Sequence, residues 1–194
     1  TFPQNNCSTT SLPHNTRVIY IFMHSLQEKI IRGEVHDPTA YSFGGVAGHA
    51  GFFSTAGNLE EYMQVHLSKG KLPNGQQFYK ENTVTTFYTR VDGLPYQNRR
   101  ALGWDTVPIS QNPPCGHLFS LNSFGHTGYT GTLMWADRDK NLIVVLLTNR
   151  VHPTSLNLGI SIARPAIMIK SSKPTRKVNK DKKPKIFQDR ILFE

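Results

Sequence analysis

The clearest hydrophobic pattern in the chain lies between residues 130 and 148, where two apolar segments flank a short polar one. Residues 130–136 and 142–148 predict two strands, and residues 137–141 predict the turn that joins them. The second segment contains the run Leu-Ile-Val-Val-Leu-Leu, which is apolar at successive positions. This run predicts a strand that is buried on both faces, in the middle of a covered sheet.

Helical spacing predicts a helix just before Gly70, which would stop it. Asn58 and Glu61 form a capping-box pattern at its start, and Thr55 is the alternative N-cap. The apolar positions at helical spacing are Leu59, Tyr62, Met63 and either His66 or Leu67. Upstream, the glycines at positions 44, 45, 48 and 51 predict a loop with close backbone approaches instead of a helix.

Three further elements follow from shorter patterns. Residues 82–89 predict a second short helix, and residues 99–107 predict a strand. A last helix is expected to begin at Thr154 or Ser155 and to be interrupted or ended by Pro165, because proline lacks the backbone donor.

The net charge of +9 is concentrated in the C-terminal tail. Residues 170–194 contribute +6, and the other 169 residues contribute only +3. The tail is therefore predicted to be disordered and solvated, and the alternative is a basic arm that binds nucleic acid or an acidic membrane. The near-balanced remainder argues against specific nucleic-acid binding as the main role.

The sequence offers little sign of a cofactor, a metal or a membrane. Cys7 and Cys115 are far apart, and no H-E-x-x-H or C-x-x-C pattern occurs, so we expect no metal site; the absence of a cofactor is implied only by the family resemblance given next. No signal peptide is visible, and the apolar run at residues 18–23 is too short for a transmembrane segment. The compartment stays open.

Three stretches carry a family resemblance: residues 33–67 (GEVHDPTAYSFGGVAGHAGFFSTAGNLEEYMQVHL), 101–105 (ALGWD) and 124–153 (FGHTGYTGTLMWADRDKNLIVVLLTNRVHP). They resemble the beta-lactamase-related serine hydrolases, the relatives of class C beta-lactamases and low-molecular-mass penicillin-binding proteins. The resemblance implies an α+β fold, the C-terminal portion of a beta-lactamase/transpeptidase-like fold, with an antiparallel sheet flanked by helices. We divide the chain into a poorly matching segment (1–32), the C-terminal half of a hydrolase domain (33–168) and a basic tail (169–194).

The resemblance also implies where the active site lies. In this family a Lys-Thr-Gly or His-Thr-Gly sequence lies on the strand beside the active site, where a serine carries out acyl transfer on an amide or ester. His126 would offer a donor or a positive charge, Thr127 a hydroxyl, and Gly128 room for the substrate. The backbone N–H of Tyr129 would be one oxyanion donor. The implied partner is a small-molecule or peptide acyl substrate.

The nucleophile of the family is the missing part. One Ser-x-x-Lys (Ser68 to Lys71) and one Tyr-x-Asn (Tyr96 to Asn98) occur, but Ser68 falls at a helix end and Tyr96 precedes a strand. We therefore interpret the chain as the C-terminal portion of a serine hydrolase that lacks its nucleophile segment and is inactive alone. Its missing N-terminal half is a candidate partner, and without it the sheet should expose an unpaired edge. The alternative is a degenerate hydrolase fold that binds without catalysis.

Other polar and aromatic candidates have simpler explanations. His49 is expected to be a structural histidine bonded to backbone. His36 and Asp37 could be a base and its orienter, but neighbours rarely face each other, so Asp37 is interpreted as a turn or cap residue before Pro38. Trp104 and Trp135 are expected to pack in the core or at its rim.

Overall fold

A five-stranded sheet organises the structure, a computed structural model that describes residues 21–22, 30–31, 33–91, 100–107, 115–172 and 185–190. The helices are α1 (Pro38–Ser42), α2 (Ala56–Leu67), α3 (Glu81–Tyr88) and α4 (Ile160–Ser172). The strands are β1 (Ile21–Phe22), β2 (Ile30–Ile31), β3 (Asp105–Thr106), β4 (Ser123–Thr127), β5 (Leu133–Asp137), β6 (Leu142–Leu147) and β7 (Lys185–Arg190).

The strand order of this sheet is β3-β4-β5-β6-β7, and β1 pairs separately with β2. Neighbours from β3 to β6 are antiparallel, and β7 lies parallel to β6. The α+β class with an antiparallel sheet and flanking helices is therefore confirmed. The β5–β6 hairpin is also confirmed, and the buried Asp137 carboxylate organises its turn by accepting from the N–H groups of Asp139 and Lys140.

The prediction that the Leu-Ile-Val-Val-Leu-Leu strand is covered on both faces is confirmed. Alternate residues of β6 enter two different core clusters. Ile143 and Val145 pack with Met63 of α2 and Phe124 of β4. The other face carries Leu142, Val144 and Leu146, which pack with Trp135 and with Ile167 and Met168 of α4. The sheet is thus a middle layer between α2 and α4, and Trp135 and Trp104 are core residues as expected.

α2 begins after Thr55, the alternative N-cap of the two that the sequence offered. Thr55 caps the helix, and its Oγ1 accepts from the Asn58 N–H at 3.2 Å, so the capping-box reading with Asn58 as N-cap is wrong. Asn58 instead lies inside the first turn as the donor. The stop at Gly70 is confirmed. Lys69, directly after the Ser68 C-cap, has the left-handed φ of +55°, and Gly70 with a φ of +88° closes the helix end through its N–H bond to the Val65 carbonyl.

The short helix predicted at residues 82–89 is confirmed as α3, whereas two other elements differ from their predictions. The strand predicted at 99–107 is limited to Asp105–Thr106. The last helix starts at Ile160, not at Thr154 or Ser155, and it continues through Pro165 to Ser172. Proline removes one helical donor, but Ile160 before it and Ile167 and Met168 after it are all buried. Tertiary burial therefore outweighs the local breaker.

The basic tail differs from the prediction of disorder at residues 185–190, which form β7. This strand pairs parallel to β6, with Val144 opposite Phe187 in the register. A strand edge with open donors and acceptors is a strong pairing template, and the sequence after Pro184 becomes apolar enough to use it. Residues 173–184 and 191–194 lie outside the described residues. The boundary we set at 168 falls inside α4, and the domain division remains a prediction.

Two predictions concern the loop before α2. Asp37 is the N-cap of α1 with Pro38 following, and its Oδ1 accepts from the Ala40 N–H at 2.8 Å, so its role as a cap residue is confirmed. His49 is paired with a side chain and not with backbone as expected, because its Nε2 lies 2.9 Å from the same Asp37 Oδ1. Among the described helices, none combines the length and the apolar character needed to cross a membrane.

Candidate active site

The predicted site residues are consecutive, and they lie where β4 ends and turns toward β5. We call residues 126–129 the 126–129 segment. His126 and Thr127 are the last residues of β4 and pair with Met134 and Leu133. Strand alternation places His126 on the same face as Phe124, which is buried in the cluster with α2. The core thus fixes the strand from which the segment projects.

Two contacts indicate which nitrogen of the His126 ring carries the proton. Its Nδ1 lies 2.8 Å from the Thr127 carbonyl oxygen, and its Nε2 lies 3.0 Å from Nη1 of Arg100. A carbonyl only accepts and a guanidinium only donates, so Nδ1 carries the proton and Nε2 offers its lone pair. These partners match the tautomer with its proton on Nδ1, and the donor or positive charge that the resemblance implies for His126 stays a prediction.

Gly128 is required by a close approach at the start of the turn. A Cβ at this position would lie 2.2 Å from Thr132 Oγ1. The Gly128 N–H donates to the Thr132 carbonyl at 2.8 Å, and its own carbonyl accepts from the Gly131 N–H at 3.0 Å. These bonds hold the peptide between Gly128 and Tyr129 in a fixed plane. In a trans peptide the Tyr129 N–H points opposite to the Gly128 carbonyl, and no described residue accepts from it.

The outer edge of β4 is open along this segment. β3 pairs with β4 only at Phe124 and Gly125, so within the described residues no strand lies beside Thr127. Because Gly128 directs its N–H toward β5, the backbone of Thr127 faces the other way. A row of backbone groups at an open sheet edge can bind an extended peptide-like ligand.

Arg150 and His36 hold the Tyr129 side chain. The Arg150 guanidinium carbon lies 4.5 Å from the ring centroid, and the His36 ring stacks on it with centroids 5.6 Å apart. Arg150 Nε also donates to the Tyr129 carbonyl at 2.7 Å, and Nη1 donates to the carbonyls of Ser155 and Asn157. The tyrosine nevertheless remains 62% exposed, so it is an ordered but accessible part of the segment.

The chance Ser-x-x-Lys motif is placed unfavourably for a nucleophile. Ser68 is the C-cap of α2, and its Oγ accepts from Gln64 Nε2 at 2.6 Å. The C-terminal end of a helix carries a partial negative charge, which disfavours a developing alkoxide. Lys69, between the two motif residues, is paired with Glu81 at 2.8 Å. The Tyr96-x-Asn98 motif lies outside the described residues.

A family comparison agrees with this geometry. The model of the beta-lactamase family matches residues 16–163, which is most of the chain. The chain belongs to the beta-lactamase family. The match begins upstream of residue 33, where we placed the start of the hydrolase portion.

The curated relatives of this beta-lactamase-family chain include proteins of Salmonella paratyphi B, Salmonella newport and Salmonella heidelberg. Each is named "Putative D-alanyl-D-alanine carboxypeptidase" and is 37% identical to the chain over 158 residues. The alignment covers 80% of this chain but only 36% of each relative, so the chain spans about a third of their length.

The sequence did not identify three residues around the site of this family member. Arg100 contacts His126, Asp105 forms an ion pair with Arg100 at 3.0 Å, and Arg150 holds Tyr129. Neither arginine belongs to the His-Thr-Gly motif, although Asp105 ends the family stretch ALGWD and Arg150 lies within the stretch 124–153. Across the described ranges, no three His, Cys, Asp or Glu side chains are grouped to bind a metal ion.

Proposed function

We propose that the 126–129 segment forms one wall of a serine-hydrolase active site that binds an amide or ester acyl substrate. The single observation that carries this proposal is the open end of β4, where the backbone of Thr127 faces an edge without a strand and the Tyr129 N–H has no acceptor among the described residues. Buried or ordered N–H groups that lack a partner are available for a substrate carbonyl.

Each residue of the segment has a defined role in this proposal. An extended acyl substrate would lie along β4 and bond to the Thr127 backbone as an added strand does. The Thr127 hydroxyl and the ordered Tyr129 N–H would donate to the substrate, the latter to the carbonyl that becomes an oxyanion. The Thr132 hydroxyl occupies the place where a Gly128 Cβ would lie, so the room for substrate at Gly128 requires the Thr132 side chain to turn aside. Arg100 supplies a fixed positive charge beside His126.

We further propose that this chain does not turn over substrate alone. Acyl transfer in this family needs a serine activated by a neighbouring base, and the one Ser-x-x-Lys places its serine at a helix C-terminus. The nucleophile would come from the N-terminal portion of a beta-lactamase-family domain, and the alignment covers only 36% of each relative. That portion is the proposed protein partner.

Exposed apolar side chains before α2 support such a partner. Phe43, Val46 and Phe52 all lie in the glycine-containing loop, and Phe52 is 82% exposed. Several large apolar residues in one exposed loop are unusual for a surface that faces only water. The Asp37–His49 pair connects this loop to the N-terminus of α1. The loop is therefore ordered enough to present an apolar docking surface.

A binding experiment separates the parts of this proposal. Titration of the isotope-labelled chain with a D-Ala-D-Ala peptide should shift the amide signals of Thr127 and Tyr129 in a saturable manner. Thr127→Val keeps the shape but removes the hydroxyl, and it should weaken binding about tenfold, as expected for one lost hydrogen bond to a substrate. Thr86→Val, on the exposed face of α3, is the matched control and should bind normally.

A fluorescent penicillin or a fluorophosphonate probe tests the absence of a nucleophile in the same samples. Labelling of the chain would overturn the proposal that it is inactive alone. Saturable peptide binding without labelling or hydrolysis would also support the second candidate function, a non-catalytic binding module. The placement of Ser68 favours this non-catalytic binding module. If no peptide binds, both the binding module and the proposed substrate-binding wall at the 126–129 segment are rejected.

A further inference from the structure

The side chains of Asp105, Arg100 and His126 form a continuous chain of contacts from the buried sheet to the open end of β4. We infer that Arg100 is a positioning residue for His126: anchored by Asp105, it fixes the imidazole as the Nδ1–H tautomer and supplies the positive charge of the site. The functional meaning of this array rests on the proposed function, whereas the array itself can be tested in the ligand-free chain.

Asp105 anchors the array from the interior. Its side chain is only 1% exposed, and its Oδ1 lies 3.0 Å from Nη1 of Arg100. A buried carboxylate is costly without a positive partner, so the guanidinium is held close to it. The backbone reinforces this pair, because Arg100 and Asp105 form an antiparallel bridge and the Ala101 N–H donates to the Trp104 carbonyl at 2.8 Å. Arg100 is therefore oriented from two sides although it is 54% exposed.

The same Nη1 atom reaches both neighbours. It lies 3.0 Å from Asp105 Oδ1 and 3.0 Å from His126 Nε2. The contact with His126 is a hydrogen bond, whereas the contact with Asp105 Oδ1 is an ion pair without a hydrogen bond, so Nη1 serves the carboxylate by its charge and the imidazole by its N–H. The position of the carboxylate thus determines where the donor for His126 lies.

The two ends of the imidazole require the same tautomer. Nε2 faces a group that can only donate, and Nδ1 faces the Thr127 carbonyl, which can only accept. Either contact alone would favour the Nδ1–H form, and together they exclude the Nε2–H form at this position. A proton added to Nε2 would remove the acceptor of Arg100 and place two cations 3.0 Å apart.

This arrangement changes the chemical role of the motif histidine. In the site, His126 holds the Thr127 carbonyl through Nδ1 and accepts from Arg100 through Nε2. It thereby connects the backbone of the 126–129 segment to the buried carboxylate. The fixed charge next to the substrate wall belongs to Arg100, which no sequence motif marks.

Nitrogen-15 NMR of the imidazole tests this directly, because protonated and unprotonated ring nitrogens have distinct chemical shifts. The His126 signal is assigned by its loss in His126→Asn. In the ligand-free wild-type chain at neutral pH, we expect the Nδ1–H form to exceed the Nε2–H form roughly tenfold or more, the ratio expected of one charge-assisted hydrogen bond. A ring that is mostly Nε2–H or mostly protonated would overturn the inference without any variant.

Three arginine variants test whether Arg100 determines the tautomer of His126. Arg100→Met should shift the population toward Nε2–H, and Arg100→Lys, which retains a donor and the charge for Asp105, should restore most of the Nδ1–H form. Arg138→Met is the matched control, because Arg138 also bonds to a backbone carbonyl near β4, that of Asn122, and it contacts Asn122 and the Tyr88 ring instead of His126. An unchanged tautomer in folded Arg100→Met would refute the role of Arg100. Since no substrate is present, this result is independent of the peptide-binding and labelling outcomes.

Discussion

Substitution of Gly125 by alanine should destabilise the sheet strongly, because the strand that carries His126 has no room for a side chain at this position. A Cβ there would lie 2.3 Å from the Met134 carbonyl oxygen and 2.4 Å from Cε3 of the Trp135 ring. Neither neighbour can move easily. Met134 belongs to the β4–β5 ladder, and the fully buried Trp135 ring is held by a 3.0 Å bond from Nε1 to Ser123 Oγ.

The magnitude follows from overpacking. An extra methyl group in a packed interior costs about 1–3 kcal/mol, and two contacts below 3 Å with fixed atoms place Gly125→Ala near the upper end, at about 3 kcal/mol. At roughly 2–4 °C per kcal/mol for a chain of this size, the melting temperature should fall by roughly 6–12 °C. Urea unfolding followed by tryptophan fluorescence measures the same change, since both tryptophans lie in the core.

Gly48→Ala is the matched control for Gly125→Ala. A Cβ at Gly48 would meet nothing within 4 Å, and its φ lies outside the left-handed region. The control should unfold within about 0.5 kcal/mol of the wild type, as surface substitutions usually do. If Gly125→Ala were as stable as Gly48→Ala, the close packing of β4 against Trp135 would be refuted.

Four further predictions concern capping, pH and charge. Thr55→Ala should lower the free energy of unfolding by about 1 kcal/mol in urea titrations, and Asn58→Ala should cost clearly less, because Thr55 provides the capping oxygen; equal losses would contradict this assignment. Burial lowers the pKa of His66, so the free energy of unfolding should decline as the pH falls below about 6.5, the ordinary pKa of histidine. A His66→Leu variant should lack this decline between pH 7.5 and pH 5.5. A urea midpoint that changes between these pH values as much as that of the wild type would count against the role of His66. The bond from the Ala40 N–H and then the contact with His49 lower the pKa of Asp37, so its contribution should be present above about pH 4 and lost in stronger acid; acid titrations of Asp37→Asn should lack that loss. Replacement by glutamine of the six basic residues between 173 and 184, which leaves α4 and β7 intact, removes most of the net charge and should abolish retention on heparin at low salt, whereas undiminished retention would place the basic surface elsewhere.

Predictions from local patterns were accurate where neighbouring residues by themselves determine the structure. The β5–β6 hairpin follows from two apolar segments around a polar turn, and the double burial of β6 follows from its unbroken apolar run. Gly70 ends α2 because only a residue tolerant of positive φ fits there. The N-cap was harder to choose, since Thr55 and Asn58 are both capping residue types and only the helix geometry shows which one lies at the first turn.

Predictions failed where distant contacts outweighed local preference. Pro165 is a helix breaker by itself, yet α4 continues through it because residues on both sides are buried on the sheet. The tail reads as a basic, unstructured segment, yet residues 185–190 pair with β6 because that strand offers an open edge. Both outcomes depend on the sheet, which no window of neighbouring residues describes.

The sequence by itself determined the family, the α+β class and the position of the 126–129 segment, because His126, Thr127, Gly128 and Tyr129 are contiguous and their spacing survives in any fold of the chain. Only the tertiary structure decided which groups contact the His126 imidazole in that segment. Arg100 is 26 residues from His126 in sequence, and the ion pair with the buried Asp105 brings it to 3.0 Å from the imidazole. A hydrogen-bond partner fixes a tautomer only when it is held in place, and here the sheet holds it.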